Sequence, residues 1–247
     1  MTKILITAPL RQSVGIFREH QKSLDRLNIP DGVAVDRFWV VNDCSEVIPE
    51  IRGSYLVCDT GDEFRKTDDN HLWFPENLAK MPYLRNLTIS WMLEHDYDYW
   101  FSVDTDLILR PETLAYLLAA DKDIVSEIFW TEAAGGNGYW CNAWMYDQAG
   151  GMSAEWLNPG LYRVGMTGAC MLVKRRVFEA GVNYAPIHCI RDILWGEDRW
   201  FGIRAAVLGF EAWVDTHAPA LHLYTDALYE EFVAKTLAAK RGAVTCS

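Results

Sequence analysis

The sequence predicts an α/β fold built on a mostly parallel central sheet flanked by helices. Three observations carry that reading. Short apolar runs alternate with segments of helical periodicity, the order expected of β-α-β units. One run, Tyr99 to Leu109, is apolar, breaks on two carboxylates at Asp104 and Asp106, and turns apolar again. A central parallel strand has no solvent face and therefore shows no alternation. The acids then sit where that strand leaves the sheet, the edge at which open α/β sheets bind ligands. Finally, 247 residues, 50% of them hydrophobic, suffice for one large core.

Taken in order, Lys3 to Ala8 is a short strand that ends at Pro9. Val14, Phe17, Leu24 and Leu27 then line one helical face, with Ser13 placed to cap it. Phe38 to Val41 is a second strand closing on Asn42 and Asp43, and Tyr55 to Cys58 a third closing on Asp59. Residues 59–70 turn polar and lose periodicity, which reads as a loop. Asn77 to His95 is the clearest helix: Leu78, Met81, Leu84, Thr88, Trp91, Met92 and His95 form one broad stripe, with Arg85 and Asn86 off its centre. After the acidic strand end, Pro111 opens a helix through Ala120. Asp123 to Trp130 is a further strand.

Residues 133–160, rich in Gly, Ala, Asn and aromatics, read as irregular structure of the kind that forms binding loops. Gly165 to Val173 reads as one strand whose small residues admit a close approach to its backbone. Gly196, Glu197 and Asp198 open a helix to Leu208, with Phe201, Ala205 and Leu208 inward and Gly209 after its end. Glu211 to Thr216 is a strand, 217–222 a short connection, and Asp226 to Lys240 an amphipathic helix.

The balance of 23 basic against 34 acidic residues, a formal charge of −11, argues against bulk nucleic-acid binding. The six cysteines (44, 58, 141, 170, 189, 246) show no Cys-x-x-Cys pair and no zinc spacing, and read as reduced core thiols. The run before Pro9 is too short for a signal peptide, and no stretch approaches a membrane span. A cytoplasmic location is the expectation.

Four polar groups stand out by position. In extended backbone, side chains two apart point the same way, so Asp104 and Asp106 are expected to converge on one hard cation. Glu197 and Asp198 begin a helix, where the macrodipole favours acids and keeps them ionised; helix-end electrostatics alone would also explain them. His222 lies between apolar residues, as a satisfied core histidine does. Arg85 is a guanidinium on a largely buried helix, where a salt-bridge role is the plain alternative.

Together these motifs resemble a known family. Arg85-Asn86 followed by Phe101-Ser102-Val103-Asp104-Thr105-Asp106 is similar to the nucleotide half of metal-dependent glycosyltransferases of the GT-A fold. Met166-Thr167-Gly168-Ala169-Cys170, Trp195-Gly196-Glu197-Asp198 and Val214-Asp215-Thr216 with His222 follow in the family's order. The resemblance is nearest to bacterial family-2-like, Anp1-like enzymes and covers residues 83–224 by motif, the first 80 by strand pattern only. It implies one GT-A domain over 1–247, with a nucleotide-sugar-binding half (1–106) and an acceptor-binding and catalytic half (107–247), and a smaller subdomain on the acceptor side.

The resemblance also implies residue roles. Asp106 and His222 would bind Mn²⁺ or Mg²⁺, and Asp104 the ribose, or the metal through water. Thr105 and Arg85 would lie against the nucleotide; Thr7, Ala8, Pro9, Arg11 and Asp43 would frame base and ribose; Thr167, Gly168 and Ala169 would line the sugar pocket. The donor would be a UDP- or GDP-sugar and the acceptor a hydroxyl on a glycan or glycoconjugate. Asp198 is expected to be the general base of an inverting transfer, with its pKa lowered by the helix start, and Glu197 to bind a hydroxyl.

Two other functions compete. A sugar nucleotidyltransferase needs a glycine-rich basic loop after the first strand, where residues 8–15 offer one glycine and one arginine. A non-catalytic sugar- or nucleotide-binding module would keep the fold without turnover.

Overall fold

A computed structural model describes residues 1–61, 75–132, 138–145, 153–188 and 196–244. Four parallel neighbours, in the order β3-β2-β1-β4, make one side of the sheet: β1 (Thr2–Leu10), β2 (Val33–Val41), β3 (Ser54–Val57) and β4 (Tyr99–Ser102). Helix α1 (Val14–Leu24) crosses from β1 to β2, and α2 (Pro75–Glu94) precedes β4. Short β5 (Leu107–Ile108) and α3 (Thr113–Ala119) lead into β6 (Ile124–Glu132). The chain then forms β7 (Tyr139–Cys141), β8 (Ala143–Trp144), β9 (Leu161–Val164), β10 (Met166–Thr167) and β11 (Met171–Lys174). Helices α4 (Arg175–Glu179) and α5 (Glu197–Val207), strand β12 (Ala212–His222) and α6 (Asp226–Val244) complete it.

Beyond β4 the sheet continues through β11, β6 and β12. Strand β11 runs against both neighbours, while β6 and β12 are parallel to each other, so six of these seven strands point one way. The sheet is mostly parallel, as expected, and its second half adds to the first without a break. Strands β5, β7 and β9 join antiparallel at the margins, and β8 with β10 forms a separate ribbon.

Alternation along each strand feeds two cores. On one face Leu5, Phe38 and Trp100 pack with Leu84 and Met92 of α2, Phe178 of α4 and Phe201 of α5. On the other, Ile4, Ile6, Trp39 and Phe101 pack with Phe17 and Leu24 of α1 and Leu114 and Leu117 of α3. Among the described residues no helix is long and apolar enough to cross a membrane. Cys44, Cys58, Cys141 and Cys170 are free thiols; Cys189 and Cys246 lie outside the described residues.

Several elements differ from the sequence expectation. Strand β1 runs through Pro9 to Leu10. The Thr7 carbonyl faces β4, so Pro9, two residues on, turns its donor-less nitrogen to the side where β4 has already ended. The helix after Pro111 begins only at Thr113, and Leu208 is 44% exposed instead of inward. The supposed single strand 165–173 is two: Ala169 and Cys170 adopt φ of +46° and +37°, and the chain crosses there from the ribbon into the main sheet. Within 133–160, residues 133–137 and 146–152 lie outside the described residues, and the rest contains β7 and β8. The expected connection 217–222 is strand, part of β12.

Candidate active site

The two acids after β4 do not converge as extended backbone would make them. Strand β4 stops at Ser102, and the Leu107 N–H donates to the Asp104 carbonyl, closing a turn between the acids. The turn sends them apart. Asp106 goes to β12, where its Oδ2 lies 3.3 Å from His222 Nε2. The Leu223 N–H donates to the Asp106 carbonyl, fastening the end of β12 to the same turn. His222 Nδ1 lies 2.8 Å from Thr131 Oγ1, and Phe129 and Tyr224 flank the ring at 4.9 Å.

Asp104 goes instead to α2. Arg85 is 3% exposed, and its two terminal nitrogens reach Asp104 Oδ1 at 3.2 Å. One of them also donates to Ser102 Oγ at 3.3 Å, while Nε lies 3.7 Å from Glu197 Oε1. The guanidinium sits 5.6 Å from the centre of the Tyr184 ring. Burial alone would lower the Arg85 pKa, but Asp104, Asp198 and Glu197 outweigh it and hold the pKa well above its ordinary value. Arg85 thus links the acidic strand end to the start of α5.

Helix α5 is entered through Gly196, whose φ of +127° favours glycine. Its first turn lies on the β10 ribbon. A Cβ at Gly202 would come within 2.5 Å of the Met166 Cβ, and one at Gly168 within 2.1 Å of Asp198 Oδ2. Asp198 keeps part of its surface open, yet its Oδ1 is shut off from solvent without a hydrogen-bond partner. Burial, followed by the charge of Glu197, pushes the Asp198 carboxyl well above the usual carboxylate range. Burial raises Glu197 as well, against the pull of Arg85. The helix start was expected to lower these pKa values; desolvation exceeds that effect because fixed dipoles at a helix end contribute little beside the cost of a shielded charge.

The other expected residues spread along the same edge. Thr7 and Ala8 are fully buried in β1, with the Thr7 hydroxyl unpartnered, and Pro9 and Arg11 follow at its end. Asp43, at φ +49°, accepts from Thr60 N and Oγ1 and Gly61 N, so it ties the ends of β2 and β3 together. Thr105 is buried in the turn between the acids. Thr167 bonds Ser126 and the Asn142 carbonyl, and Ala169 begins the crossing into the main sheet. Trp195 lies outside the described residues.

Residues that the sequence did not single out complete the surroundings. Asn142 accepts from the Phe129 N–H and donates to the Glu127 and Gly168 carbonyls, which sets the height of Gly168 below Asp198. Tyr184 is fully buried beside Arg85 with an unpartnered hydroxyl. Thr131 and Glu127 lie on β6 among apolar neighbours, where no periodicity marks them out.

The Asp106–His222 pair suits a divalent cation. Two ligands about 2.1 Å from one octahedral ion stand about 3.0 Å apart, close to the separation here. An Nδ1–H donated to Thr131 would leave the Nε2 lone pair for metal, the usual arrangement of a ligating histidine. Among the described residues no group of three His, Cys, Asp or Glu side chains could hold a metal, so an ion here would draw its remaining ligands from substrate and water.

No protein-family model matches this sequence, and no curated protein matches it. Solved structures do share its fold. The S. aureus TarS fragment 1–349 in complex with UDP-GlcNAc superposes with a TM-score of 0.53 at 13% identity, over 90% of this chain and 58% of that one. The same fragment without that ligand also gives 0.53, over 90% of this chain and 60% of the other. GalNAc-T7 with UDP, GalNAc and Mn²⁺ gives a TM-score of 0.56 at 13% identity, over 91% of this chain and 43% of that one. The present chain therefore spans at most about three fifths of these proteins. Its α/β architecture, with a mostly parallel sheet between helices, is the GT-A fold.

Proposed function

We propose that the protein is a glycosyltransferase that moves a sugar from a nucleoside-diphosphate sugar, UDP- or GDP-linked, to a hydroxyl of a glycan or glycoconjugate. The observation that carries this reading is the meeting of Asp106 and His222 at 3.3 Å on the sheet edge where β4 ends. Arg85 connects that edge to Glu197, the neighbour of Asp198 at the start of α5. The UDP-GlcNAc in the TarS complex, and the UDP and Mn²⁺ in that of GalNAc-T7, support a nucleotide-sugar donor and a divalent ion.

In this reading Asp106 and His222 hold Mn²⁺ or Mg²⁺, which when bound offsets the negative charge growing on the departing diphosphate. Arg85 orients Asp104 toward the ribose and keeps Glu197 in place to bind a hydroxyl. Asp198 takes the proton of the acceptor hydroxyl as that oxygen bonds to the anomeric carbon and the diphosphate leaves from the opposite face, which inverts the configuration. A carboxylate with a raised pKa is a stronger base than an ordinary aspartate, and its shielded oxygen is desolvated before the acceptor arrives. Gly168 gives that carboxylate room.

Incubation with a panel of UDP- and GDP-sugars, in Mn²⁺ and in chelator, tests the proposal. Metal-dependent release of nucleoside diphosphate is expected. Pyrophosphate exchange would point instead to nucleotidyl transfer, and binding without turnover to a non-catalytic module.

A further inference from the structure

The route by which His222 reaches Asp106 depends on an irregularity in β12. Asp215 pairs with Glu127 of β6, but the next matched pair is Ala220 with Phe129. Residues 216–219 of β12 thus face Ile128 alone, three residues more than a regular ladder would hold. In unbroken register Pro219 would lie opposite Thr131; the three extra residues put His222 there, in bonding distance of Thr131 and beside Leu107 of β5.

An irregular stretch at the sheet's interior must satisfy its own backbone groups. Thr216 N–H donates to the Gly160 carbonyl, and Arg110 Nε donates to the Pro219 carbonyl. His217 N–H donates to its neighbour Asp215. Ala218 N–H, at the centre, donates to Glu127 Oε1 at 3.2 Å. Glu127 is fully buried, its second oxygen has no partner, and the mechanism proposed above gives it no task.

We propose that Glu127 is a positioning residue for the metal end of the site. By accepting the Ala218 N–H it fixes the bulge of β12 that carries His222 into register with Thr131 and Asp106. The inference rests on the reading of His222 as a metal ligand. It differs from a general core role because it assigns the effect to one acceptor atom and one distant imidazole.

The test compares Glu127→Met, similar in volume but without an acceptor, with Glu127→Gln, which keeps a carbonyl oxygen for Ala218. The readouts are Mn²⁺ affinity by electron paramagnetic resonance with UDP or GDP present, nucleotide affinity in chelator, and amide exchange at Ala218. Glu127→Met should weaken Mn²⁺ binding about 10-fold or more, the usual cost of losing a support behind a ligand. It should also speed exchange at Ala218 and leave nucleotide affinity in chelator unchanged. Glu127→Gln should restore Mn²⁺ affinity to within about twofold of the parent.

His222→Ala, measured alongside, separates the two claims. If His222→Ala weakens Mn²⁺ binding and a folded Glu127→Met does not, the positioning role is wrong and the metal site stands. If His222→Ala changes nothing, the metal assignment fails and takes the inference with it. Should Glu127→Met not fold, Glu127→Gln decides: a 10-fold loss of Mn²⁺ affinity despite a protected Ala218 amide overturns the proposal.

Discussion

Gly168 lies directly beneath Asp198: a methyl group on its α-carbon would stand 2.1 Å from the carboxylate's Oδ2. Backbone on one side and a short side chain on the other leave little slack, so a substitution must move Asp198 or part α5 from the β10 ribbon. Gly168→Ala should therefore lower kcat by about 10²-fold, the scale of a displacement near 1 Å at a reacting group. Donor affinity should change much less. Steady-state kinetics with calorimetric donor binding checks this; normal kcat in Gly168→Ala would remove Asp198 from the chemistry.

Asp198→Asn keeps the shape and abolishes basicity. Turnover should drop by roughly 10²–10⁴, the usual worth of a positioned base, with donor Kd almost unchanged. Glu197→Gln should act mainly through KM. A dead Glu197→Gln beside an active Asp198→Asn would reverse the two roles. The pH profile supplies an independent check: the base must be deprotonated, and its pKa is pushed up to about 8, so kcat/KM should climb through that pH before levelling. A profile already flat from about pH 5, where an ordinary carboxylate has finished ionising, would contradict the raised value.

Arg85 offers a stability test. It is 3% exposed and faces Asp104 and Glu197, so truncation strands the buried Glu197, while the part-exposed Asp104 keeps its water. Arg85→Ala should cost about 3–5 kcal/mol, as breaking a buried pair does, in addition to raising the donor KM. Chemical denaturation measures it. An unchanged midpoint would show that water reaches Glu197 readily as well and that Arg85 serves substrate alone.

Glu127 makes stability depend on pH. Burial first, and then the charge of Asp215, push its carboxyl from 4.5 up to about 9, against the Ala218 N–H and Arg110, which lower it. Below pH 4.5 folded and unfolded chains both hold the proton, and the group carries no penalty. Between 4.5 and about 9 only the folded chain holds it, so stability falls as pH rises across that window. Glu127→Gln has no proton to lose. Its melting temperature relative to the parent should rise steadily from pH 5 to pH 9, and a constant difference would show that Glu127 is ionised in the fold.

The α/β class, the strand that ends on Asp104 and Asp106, the long helix with Arg85, and the helix start at Glu197 and Asp198 were all legible in the amino-acid order alone. Those readings rest on apolar periodicity and on residues that begin or end elements, which are local properties. What the two acids do was decided only in three dimensions. The turn between them, closed by Leu107 N–H, sends Asp104 to a helix earlier in the chain and Asp106 to a strand over a hundred residues later. The pKa of Asp198 was likewise hidden, because desolvation by Gly168 and its surroundings comes from a segment about thirty residues away. The sequence split β12 at His217, since a strand that bulges over four residues shows no alternation to read. Its register, and with it the place of His222, is set by a buried glutamate on a neighbouring strand.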